Sequence, residues 1–456
     1  MNDARDARTR EPRGARPGDA TSGPTPASGG LRLERGALAI VALFLVVATQ
    51  DHYGGWNDTS RLGMVEAIVE HHRLYLDGTE MGRKSGDVCM IDGHYYSDKP
   101  PAVALLAVPV YAAEVAHGLT FRSDLGHAYY WTTLLTIGLT TILGLAALAR
   151  FLRGLVPDSR WRALTILALG LGSLNTAYSV TFSNHPPSGT ALLVGILLVW
   201  TWRRFDAGLA TLVAGGFLVG IAATADHGAA FYVPFLLLYV LLPAAPRPVT
   251  AIVALSTAVA VPLAAYAAYA YALSGSIMPL PLQPRLFEYP GSYFSETAGH
   301  LAGSSIPHAS LREFGAYVWL CTFGERGVFA HTPVLLFVAI GMLRLLVDRR
   351  YRWRGEILLV TAPSLVLTTY YLVTSDNPGG NSYGVRWFCL FIPLLFVFLP
   401  DAYATLRSRA ARAGFWLALA ASVAFAQIGA RDPWLDPTPY GSGYSWVLVL
   451  RAHGWL

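Results

Sequence analysis

The sequence is poor in charged residues, which make up only 14% of its 456 residues, against 54% that are hydrophobic. A soluble globular domain carries about 25% charged residues, so this deficit excludes an ordinary soluble protein. Apolar runs long enough for a helical membrane span, about 20 residues each, recur along nearly the whole chain. They are continuous and do not alternate with polar residues, which excludes a β-barrel. The sequence therefore predicts an all-α polytopic membrane protein with about 11–13 transmembrane helices.

Cysteine and lysine are also scarce. The three cysteines, Cys89, Cys321 and Cys389, are too few and too scattered for a disulfide framework or a zinc site. Of the 34 basic residues only Lys84 and Lys99 are lysines, so a lysine in this chain is informative. The net charge of +5 comes from arginines in short blocks beside apolar runs, without a continuous basic face, and this pattern gives no sign of a nucleic-acid partner.

Arginine-rich segments indicate which connections face the cytoplasm, because cytoplasmic connections of membrane proteins carry an excess of positive charge. Residues 1–34 are rich in Arg, Pro, Gly and Ser and lack apolar content, which predicts a disordered cytoplasmic tail. We expect a multi-span domain over 35–430 and a C-terminal tail segment at 431–456. Two outer loops of the domain, 50–99 and 274–331, are long enough to be functional.

One connection conflicts with this topology. With the tail inside, spans at 36–50, 100–117 and 129–149 place the arginine-rich loop 150–162 outside. Either that loop departs from the charge bias, or the chain makes a further crossing near 117–128.

The first outer loop begins with the stretch GGWNDTSRLGMVEAIVEHH at 54–72. The apolar residues after Arg61 fall on one helical face, which predicts an amphipathic helix lying on the membrane surface. Asp58, Thr59 or Ser60 stands where the N-cap of this helix belongs, and capping alone would account for the residue type.

The same loop ends in SDKPP, which places Asp98 and Lys99 at the mouth of the next span. Lysine presents a compact positive charge that suits a phosphate oxygen. A lysine in this position also serves as an interfacial anchor, and that alternative stays open.

On these motifs the sequence resembles the C-type (GT-C) superfamily of polytopic membrane glycosyltransferases, in particular a bacterial branch related to protein O-mannosyltransferases and the lipid A aminoarabinose transferase. The resemblance depends on D-x-x-R after the first span (Asp58 to Arg61), on Lys-Pro-Pro at Lys99–Pro101, and on the many spans. GERGVFAHTPVLL at 324–336 and GGNSYGVRWF at 379–388 add to it.

This resemblance implies a GT-C fold, in which the first outer loop meets a cavity at the membrane face. It also implies transfer of a sugar from a polyprenyl phosphate with inversion of the anomeric centre. Asp58 matches the family's catalytic loop acid, and Lys99 matches the lysine near the lipid phosphate. Many relatives carry a second acid directly after the first, where this chain has Thr59, so the resemblance leaves a divalent cation (Mg²⁺ or Mn²⁺) as an open question.

The residues themselves also suit a single displacement, which needs a base for the acceptor and positive charge for the departing phosphate. Asp58 is the candidate base, with Arg61 holding it ionised, and Asp51 beside His52 is its rival. Asp226 beside His227 stands at another outer mouth. The candidates for substrate binding are Arg61, Asp98, Lys99, His185, Asn381, Tyr383 and Arg386.

We therefore predict a glycosyltransferase of a bacterial plasma membrane, surrounded by membrane lipids, with its active site facing outward and a lipid, glycan or protein acceptor. A transporter or flippase of lipid-linked glycans is the alternative, and it predicts ionisable residues at mid-membrane and broken spans in matching halves. The charged groups gather instead at outer span mouths, which favours catalysis. A non-catalytic scaffold would make the placement of Asp58 and Lys99 a coincidence.

Overall fold

Residues 28–242, 248–294, 308–436 and 438–456 are described in the computed structural model, and most of them are helical. The first half of the chain forms α1 (Ser28–Ala48), α2 (Trp56–His71), α3 (Ala102–Ala116), α4 (Leu125–Thr133), α5 (Leu139–Leu152), α6 (Ser159–Leu171), α7 (Leu174–Tyr178), α8 (His185–Arg204), α9 (Leu209–Ala225), α10 (Tyr232–Leu241) and α11 (Pro248–Ser274). The second half forms α12 (Leu311–Thr322), α13 (Val328–His331), α14 (Val334–Val347), α15 (Arg354–Thr374), α16 (Ile392–Phe396), α17 (Leu399–Ala404), α18 (Arg409–Gly429) and α19 (Ser445–Ala452). Strands β1 (Val88–Ile91) and β2 (His94–Ser97) form one hairpin. The all-α fold predicted from the sequence is confirmed.

Short helical turns complete this set. Short 3₁₀ segments lie at Gly82–Lys84, His227–Phe231, Leu280–Leu282, Pro284–Phe287, Arg386–Leu390 and Thr438–Tyr440. A π turn, Leu134–Gly138, joins α4 to α5 in one helix of 28 residues.

Among the described residues, four helices are long and apolar enough to cross a membrane, namely Leu125–Leu152, α11, α15 and α18. Shorter apolar helices of 10–17 residues are α3, α9, His227–Leu241 and α14. A straight crossing takes about 20 residues, so several predicted spans are shorter than the membrane is thick. The expected total of 11–13 spans stays a prediction.

Arginine-rich connections gather at one end of the helical bundle, the end that holds Glu34 and Glu356, which we call the arginine end. Glu34 in α1 is fully buried and accepts hydrogen bonds from Arg153 at 2.7 Å and from Arg162 at 2.6 Å. Glu356 in α15 is also buried and accepts from Arg204 of α8 at 2.5 Å. The first two pairs join the start of α1 to the loop after α5 and to α6, and the third joins the end of α8 to the start of α15. Gly30, Arg153 and Phe205 line one cavity, so these segments lie at the same end, as the charge pattern predicts.

The path of α4 and α5 resolves the conflict over the loop 150–162. Tyr130, in α4, donates to the carbonyl of Val46 near the end of α1 at 2.7 Å. Arg153, just after α5, reaches Glu34 near the start of α1. The continuous helix therefore runs antiparallel to α1, and the loop that follows it lies at the arginine end.

The span predicted at 100–117 was wrong as a crossing. Helix α3 has only 15 residues, and it packs against α4 in a helical hairpin in which Thr132 donates to Glu114 at 3.0 Å. Because α4 starts beside the end of α1, the chain has not reached the arginine end when α3 stops. We call the opposite end, which holds Asp58, Lys99 and Arg386, the site end.

Helix α2 is buried instead of lying on the membrane surface, which corrects the prediction for it. Ten consecutive residues, Asp58–Ala67, are buried, because α3, β2 and the turn at Gly82–Lys84 pack around them. The carboxylate of Glu66 accepts from the backbone N–H groups of Glu80 and Met81 at 2.6 and 2.9 Å. Burial and these bonds make the first outer loop a fixed part of the bundle.

The hairpin follows α2 and turns at Asp92 and Gly93, whose φ angles are 51° and 83°. Asp-Gly is a favoured pair for a two-residue hairpin turn, because both positions need positive φ. The register pairs Val88 with Ser97. Asp87 and Asp98 follow directly beyond this last pair, so the hairpin sets two acids next to each other.

Both ends of the chain differ from the sequence prediction. Helix α1 begins at Ser28, inside the stretch 1–34 predicted as a disordered tail, and the residues before it lie outside the described part. The segment 431–456 contributes buried side chains, including Trp434 and Leu435, to the core at the site end.

Candidate active site

Asp58 closes the N-terminus of α2 from the third position of the helix. Gly55 is the N-cap, and the Asp58 carboxylate accepts from the N–H groups of Gly54 at 2.9 Å, Gly55 at 3.0 Å and Thr59 at 3.0 Å. The sequence prediction of an N-cap at Asp58, Thr59 or Ser60 was therefore displaced by three residues or more. The acid reaches back to the cap instead of forming it.

A hydrogen-bonded chain continues from Asp58 into the bundle. Tyr129 donates to Asp58 Oδ2 at 3.0 Å, and its oxygen lies 2.9 Å from Thr181 Oγ1. The indole N–H of Trp434 donates to the same Thr181 oxygen at 2.9 Å. Burial raises the pKa of Asp58 to about 6 despite these donors. These hydrogen bonds link the first loop to the segment after α18, which holds Trp434.

Arg61 does not contact Asp58. Its guanidinium donates to the carbonyl oxygen of Asn57 at 2.8 Å and to the Asn57 side chain, and the expectation that it holds Asp58 ionised was wrong. Burial lowers the pKa of Arg61 to about 10, which still leaves the group charged at neutral pH. The charges that act on it are those of Asp98, Arg386, Asp87 and Asp226, so Arg61 faces the middle of the site end.

Lys99 lies between two carboxylates. Its ammonium is 2.9 Å from Asp87 Oδ2 and 3.0 Å from Asp98 Oδ2. Ser60 fixes this arrangement from α2, because its hydroxyl bonds the Asp87 carbonyl at 2.6 Å and the Ser97 hydroxyl at 2.7 Å. Burial raises the pKa of Asp98, while the adjacent ammonium opposes that rise. The lysine predicted for a phosphate is thus already neutralised by protein acids.

His185 and Asp226 form a buried pair on a different side of the cluster. His185 Nδ1 lies 2.9 Å from Asp226 Oδ2, and each side chain is under a tenth exposed. Asp226 Oδ1 accepts from the N–H of Gly228 at 3.1 Å. Arg61 and Arg386 act electrostatically on His185, which places the pair in the same site.

Arg386 lies over the indole ring of Trp434, with 4.9 Å from its guanidinium carbon to the ring centroid. Trp434 in turn packs on Gly54, where a Cβ atom would lie 2.3 Å from the indole Cδ1, so only glycine fits. Asp226 and Asp87 act electrostatically on Arg386. Arg386 and Arg61 have no ion pair with a carboxylate among the described residues.

Two predicted substrate-binding residues lie away from this cluster. Tyr383 is fully buried, its N–H donates to the Pro433 carbonyl at 2.9 Å, and its hydroxyl donates to the Phe425 carbonyl at 2.7 Å. Its polar groups are therefore used in the core. Asn381 is exposed on the Gly379–Gly384 turn and makes no side-chain hydrogen bond to a described residue.

Three polar atoms of the cluster are buried without a hydrogen-bond partner among the described residues. They are Nε of Arg61, Nε of Arg386 and Oδ1 of Asp98. An unpaired buried polar atom costs about 1–3 kcal/mol, and native proteins carry few of them. Asp98 and Arg386 act electrostatically on Arg61, so the three groups are neighbours, and their unpaired atoms indicate a place for a polar ligand with both accepting and donating atoms.

An apolar groove of about 330 Å³ begins beside the cluster and lies between α3, α5, α8 and α9. Ala102, Pro187 and Ala225 line it close to Lys99, His185 and Asp226 along the chain. Its other lining residues are mostly aliphatic, including Leu106, Leu143, Ala191, Val194 and Leu218. The charged cluster and the groove together match a molecule with an ionic head and a hydrocarbon tail.

The cluster fits a divalent cation poorly. Such an ion takes several oxygen ligands directed at one point. In the part of the chain that is described, no three His, Cys, Asp or Glu side chains gather in this way. Asp87 and Asp98 come nearest to it, and the Lys99 ammonium already lies between them. The positive charge at this position comes from lysine.

Sequence reasoning missed Asp87, Tyr129 and Trp434. Asp87 had a usable signal, because the Asp-Gly turn fixes a hairpin whose outer ends are Asp87 and Asp98. Tyr129 and Trp434 had none, since a tyrosine in an apolar run and a tryptophan near the end of the chain are ordinary features of membrane proteins.

No protein-family model and no curated protein matches this sequence. Solved structures do match it. The oligosaccharyltransferase of Archaeoglobus fulgidus, tethered with an acceptor peptide, has a TM-score of 0.56 at 13% identity over 89% of this chain and 56% of that chain. ArnT from Cupriavidus metallidurans bound to undecaprenyl phosphate has a TM-score of 0.54 at 15% identity over 85% of this chain and 62% of that chain. The apo state of that ArnT has a TM-score of 0.52 at 13% identity over 94% of this chain and 78% of that chain.

The chain spans less than two thirds of the first two of these proteins, and the identities are low, so the likeness concerns the fold. It extends over at least 85% of the present chain in each comparison. The chain therefore shares the fold of this oligosaccharyltransferase and of ArnT, and the fold predicted from the sequence is confirmed.

Proposed function

We propose that this protein is a membrane glycosyltransferase that takes a sugar from a polyprenyl-phosphate donor. The observation that carries the proposal is the pair Arg61 and Arg386, two guanidinium groups without a carboxylate partner among the described residues, beside an apolar groove. A polyprenyl phosphate has the matching chemistry, an anion at the end of a hydrocarbon chain. One of the solved structures with this fold, ArnT, is bound to undecaprenyl phosphate.

The two arginines have the leading role in this mechanism. A guanidinium group can donate two parallel hydrogen bonds to two oxygens of one phosphate. Such groups also stabilise the second negative charge that appears on the phosphate when the sugar–phosphate bond breaks. Lys99, the predicted phosphate ligand, has one donor position left after Asp87 and Asp98, and we assign it mainly to holding those two acids in place. Asp98 Oδ1 is available to a sugar hydroxyl.

The proposal has three further parts. They are inversion at the anomeric carbon, an acceptor in the cell envelope, and a site that faces outward from a bacterial plasma membrane. The outward-facing site is supported by the concentration of charged groups at the end opposite the arginine-rich connections, because the charge rule makes that end the outer one. Inversion and the cell-envelope acceptor are carried only by the resemblance to the GT-C superfamily. The role of Asp58 as general base stays a prediction. Its carboxylate accepts from four donors, and one of these bonds must break before it receives a proton.

The test uses the purified full chain with undecaprenyl-phosphate-linked glucose, galactose, mannose and arabinose, and measures release of undecaprenyl phosphate. We expect slow hydrolysis of at least one donor without an acceptor, and a loss of at least 100-fold for Arg61→Gln. Arg344→Gln, at the arginine end, is the matched control and should keep wild-type rates. Movement of these lipids across vesicles without cleavage would support the transporter instead, and would overturn the proposal.

A further inference from the structure

The His185–Asp226 pair has a fixed orientation. Asp226 Oδ1 is held by the N–H of Gly228 at 3.1 Å, so Oδ2 is the oxygen that meets His185 Nδ1 at 2.9 Å. The backbone beside it is held too, because Asn184 donates to the Ala225 carbonyl at 3.0 Å. These bonds fix the orientation of the imidazole ring and of the carboxylate relative to each other and to the backbone.

This geometry also sets the tautomer of the imidazole. A carboxylate only accepts hydrogen bonds, so His185 Nδ1 carries the hydrogen and Nε2 carries the lone pair. Nε2 has no hydrogen-bond partner among the described residues. A histidine oriented in this way by an aspartate has the arrangement of a general base.

Asp58 lies in the opposite situation. Its two oxygens accept from the N–H groups of Gly54, Gly55 and Thr59 and from the hydroxyl of Tyr129, and its side chain has no exposed surface. All four acceptor positions of the carboxylate are therefore used to hold the start of α2 and the first loop. An incoming hydroxyl finds no lone pair there.

We propose that His185, oriented by Asp226, accepts the proton from the acceptor, and that Asp58 is a positioning residue for the first loop. This inference rests on the proposed glycosyl transfer. The acceptor's O–H proton passes to His185 Nε2 while its oxygen bonds to the anomeric carbon. The bond from that carbon to the phosphate oxygen breaks, and its electron pair leaves with the polyprenyl phosphate. Asp226 balances the imidazolium, which afterwards releases its proton to water.

Asp226→Asn is the decisive variant. With its oxygen kept on the Gly228 N–H, the new amide turns its NH₂ group towards His185 Nδ1, which forces the hydrogen onto Nε2 and removes the lone pair. The shape of the site barely changes. We expect the kcat for transfer from the active undecaprenyl-phosphate sugar to fall at least 100-fold, while the Kd for undecaprenyl phosphate stays within 3-fold of wild type.

Two further variants separate this role from a structural one. His185→Ala should lose turnover and regain part of it when imidazole is added, since free imidazole supplies the missing base. His94→Gln is the matched control, because His94 pairs with Asp77 in an exposed part of the first loop, and its kcat should stay near that of wild type. Thermal unfolding of each variant verifies that it is folded.

Three outcomes would overturn the inference. The first is an Asp226→Asn enzyme with kcat within 3-fold of wild type. The second is a His185→Ala enzyme that imidazole does not restore. The third is an Asp58→Asn enzyme that keeps its stability and lipid binding but loses kcat. If the wild-type protein turns over no donor, the proposed function itself is overturned. This outcome is distinguishable from the other three, because the wild-type assay is done before any variant is compared.

Discussion

The hydroxyl of Tyr129 donates a 3.0 Å hydrogen bond to Oδ2 of Asp58, and neither side chain has exposed surface. Tyr129 belongs to α4 and Asp58 to the first loop, so this bond fastens the loop to the bundle. Together with three backbone donors it makes Asp58 a structural anchor of the site end.

Asp58→Asn should destabilise the protein, because the amide nitrogen cannot accept the hydrogen bonds that one carboxylate oxygen accepts now. Leaving two buried donors without acceptors costs about 2 kcal/mol or more. Thermal unfolding in detergent measures this loss. Tyr129→Phe removes only one donor and should cost less, and a Tyr129→Phe variant less stable than Asp58→Asn would contradict this account.

The same variant should change the pH dependence of stability. Burial raises the pKa of Asp58 to about 6, above the usual range of an aspartate, so folding favours its protonated form. The stabilisation is present at low pH and is lost as the pH rises through 6. Wild type should therefore gain about 1.4 kcal/mol over Asp58→Asn between pH 8 and pH 5, measured by chemical unfolding at both values. An equal pH response of the two proteins would refute the shifted pKa.

Arg386→Gln should weaken the binding of undecaprenyl phosphate by about 10- to 100-fold, because it removes a charged hydrogen-bond donor worth about 1.5–3 kcal/mol. The Kd of Arg386→Lys should lie between those of wild type and Arg386→Gln, since an ammonium keeps the charge but loses the planar contact with Trp434. Equilibrium binding to the purified chain gives the Kd. An unchanged Kd for Arg386→Gln would remove this arginine from the lipid site.

Lys99→Met should lower stability by about 3 kcal/mol, because it leaves the buried carboxylates of Asp87 and Asp98 without their shared cation. Lys84→Met is the matched control. Lys84 pairs with Glu80 at 2.8 Å in a more exposed position, where a salt bridge is worth less than about 1 kcal/mol. Adding Asp98→Asn to Lys99→Met should restore part of the stability, and an additive loss would show that the three groups do not interact.

Ala191→Phe should fill part of the apolar groove, which Ala191 lines together with Val194 and Leu218. The affinity for undecaprenyl phosphate should fall at least 10-fold, whereas that for geranyl phosphate should change little, because each buried CH₂ contributes about 0.8 kcal/mol. Ala214→Phe, in an exposed hollow of α9, should alter neither affinity. Equal losses for the long and short lipids would argue against a tail in this groove.

The helical membrane fold and the distinction between the arginine end and the site end could be predicted from the sequence, because both depend on local patterns of residues. Apolar runs predict helices wherever they pack, and the arginine-rich connections, such as the one that holds Arg204, mark one end of the bundle. The crossing at 100–117 failed, since apolar character does not tell a membrane span from a short helix packed against α4.

The candidate site was predicted less well, because its geometry depends on contacts between distant segments. Asp58 and Arg61 are three residues apart, yet they turn to different partners, Tyr129 and Asn57. Lys99 looked like a free cation until the hairpin brought Asp87 beside Asp98. Tyr383 looked like a donor to a ligand, but both of its polar groups are used by the backbone of the core.

The hydrogen bond from Gln50 to the carbonyl of Arg431 joins groups 381 residues apart, and Trp434, a little further on, covers Gly54. A ribosome therefore produces the first loop long before the residue that covers it. Throughout that interval the loop lacks its contacts with Arg431 and Trp434, whereas its bond to Tyr129 can form much earlier. A chain interrupted after α18 would contain almost every helix, and Arg386 would still lack the ring on which it rests.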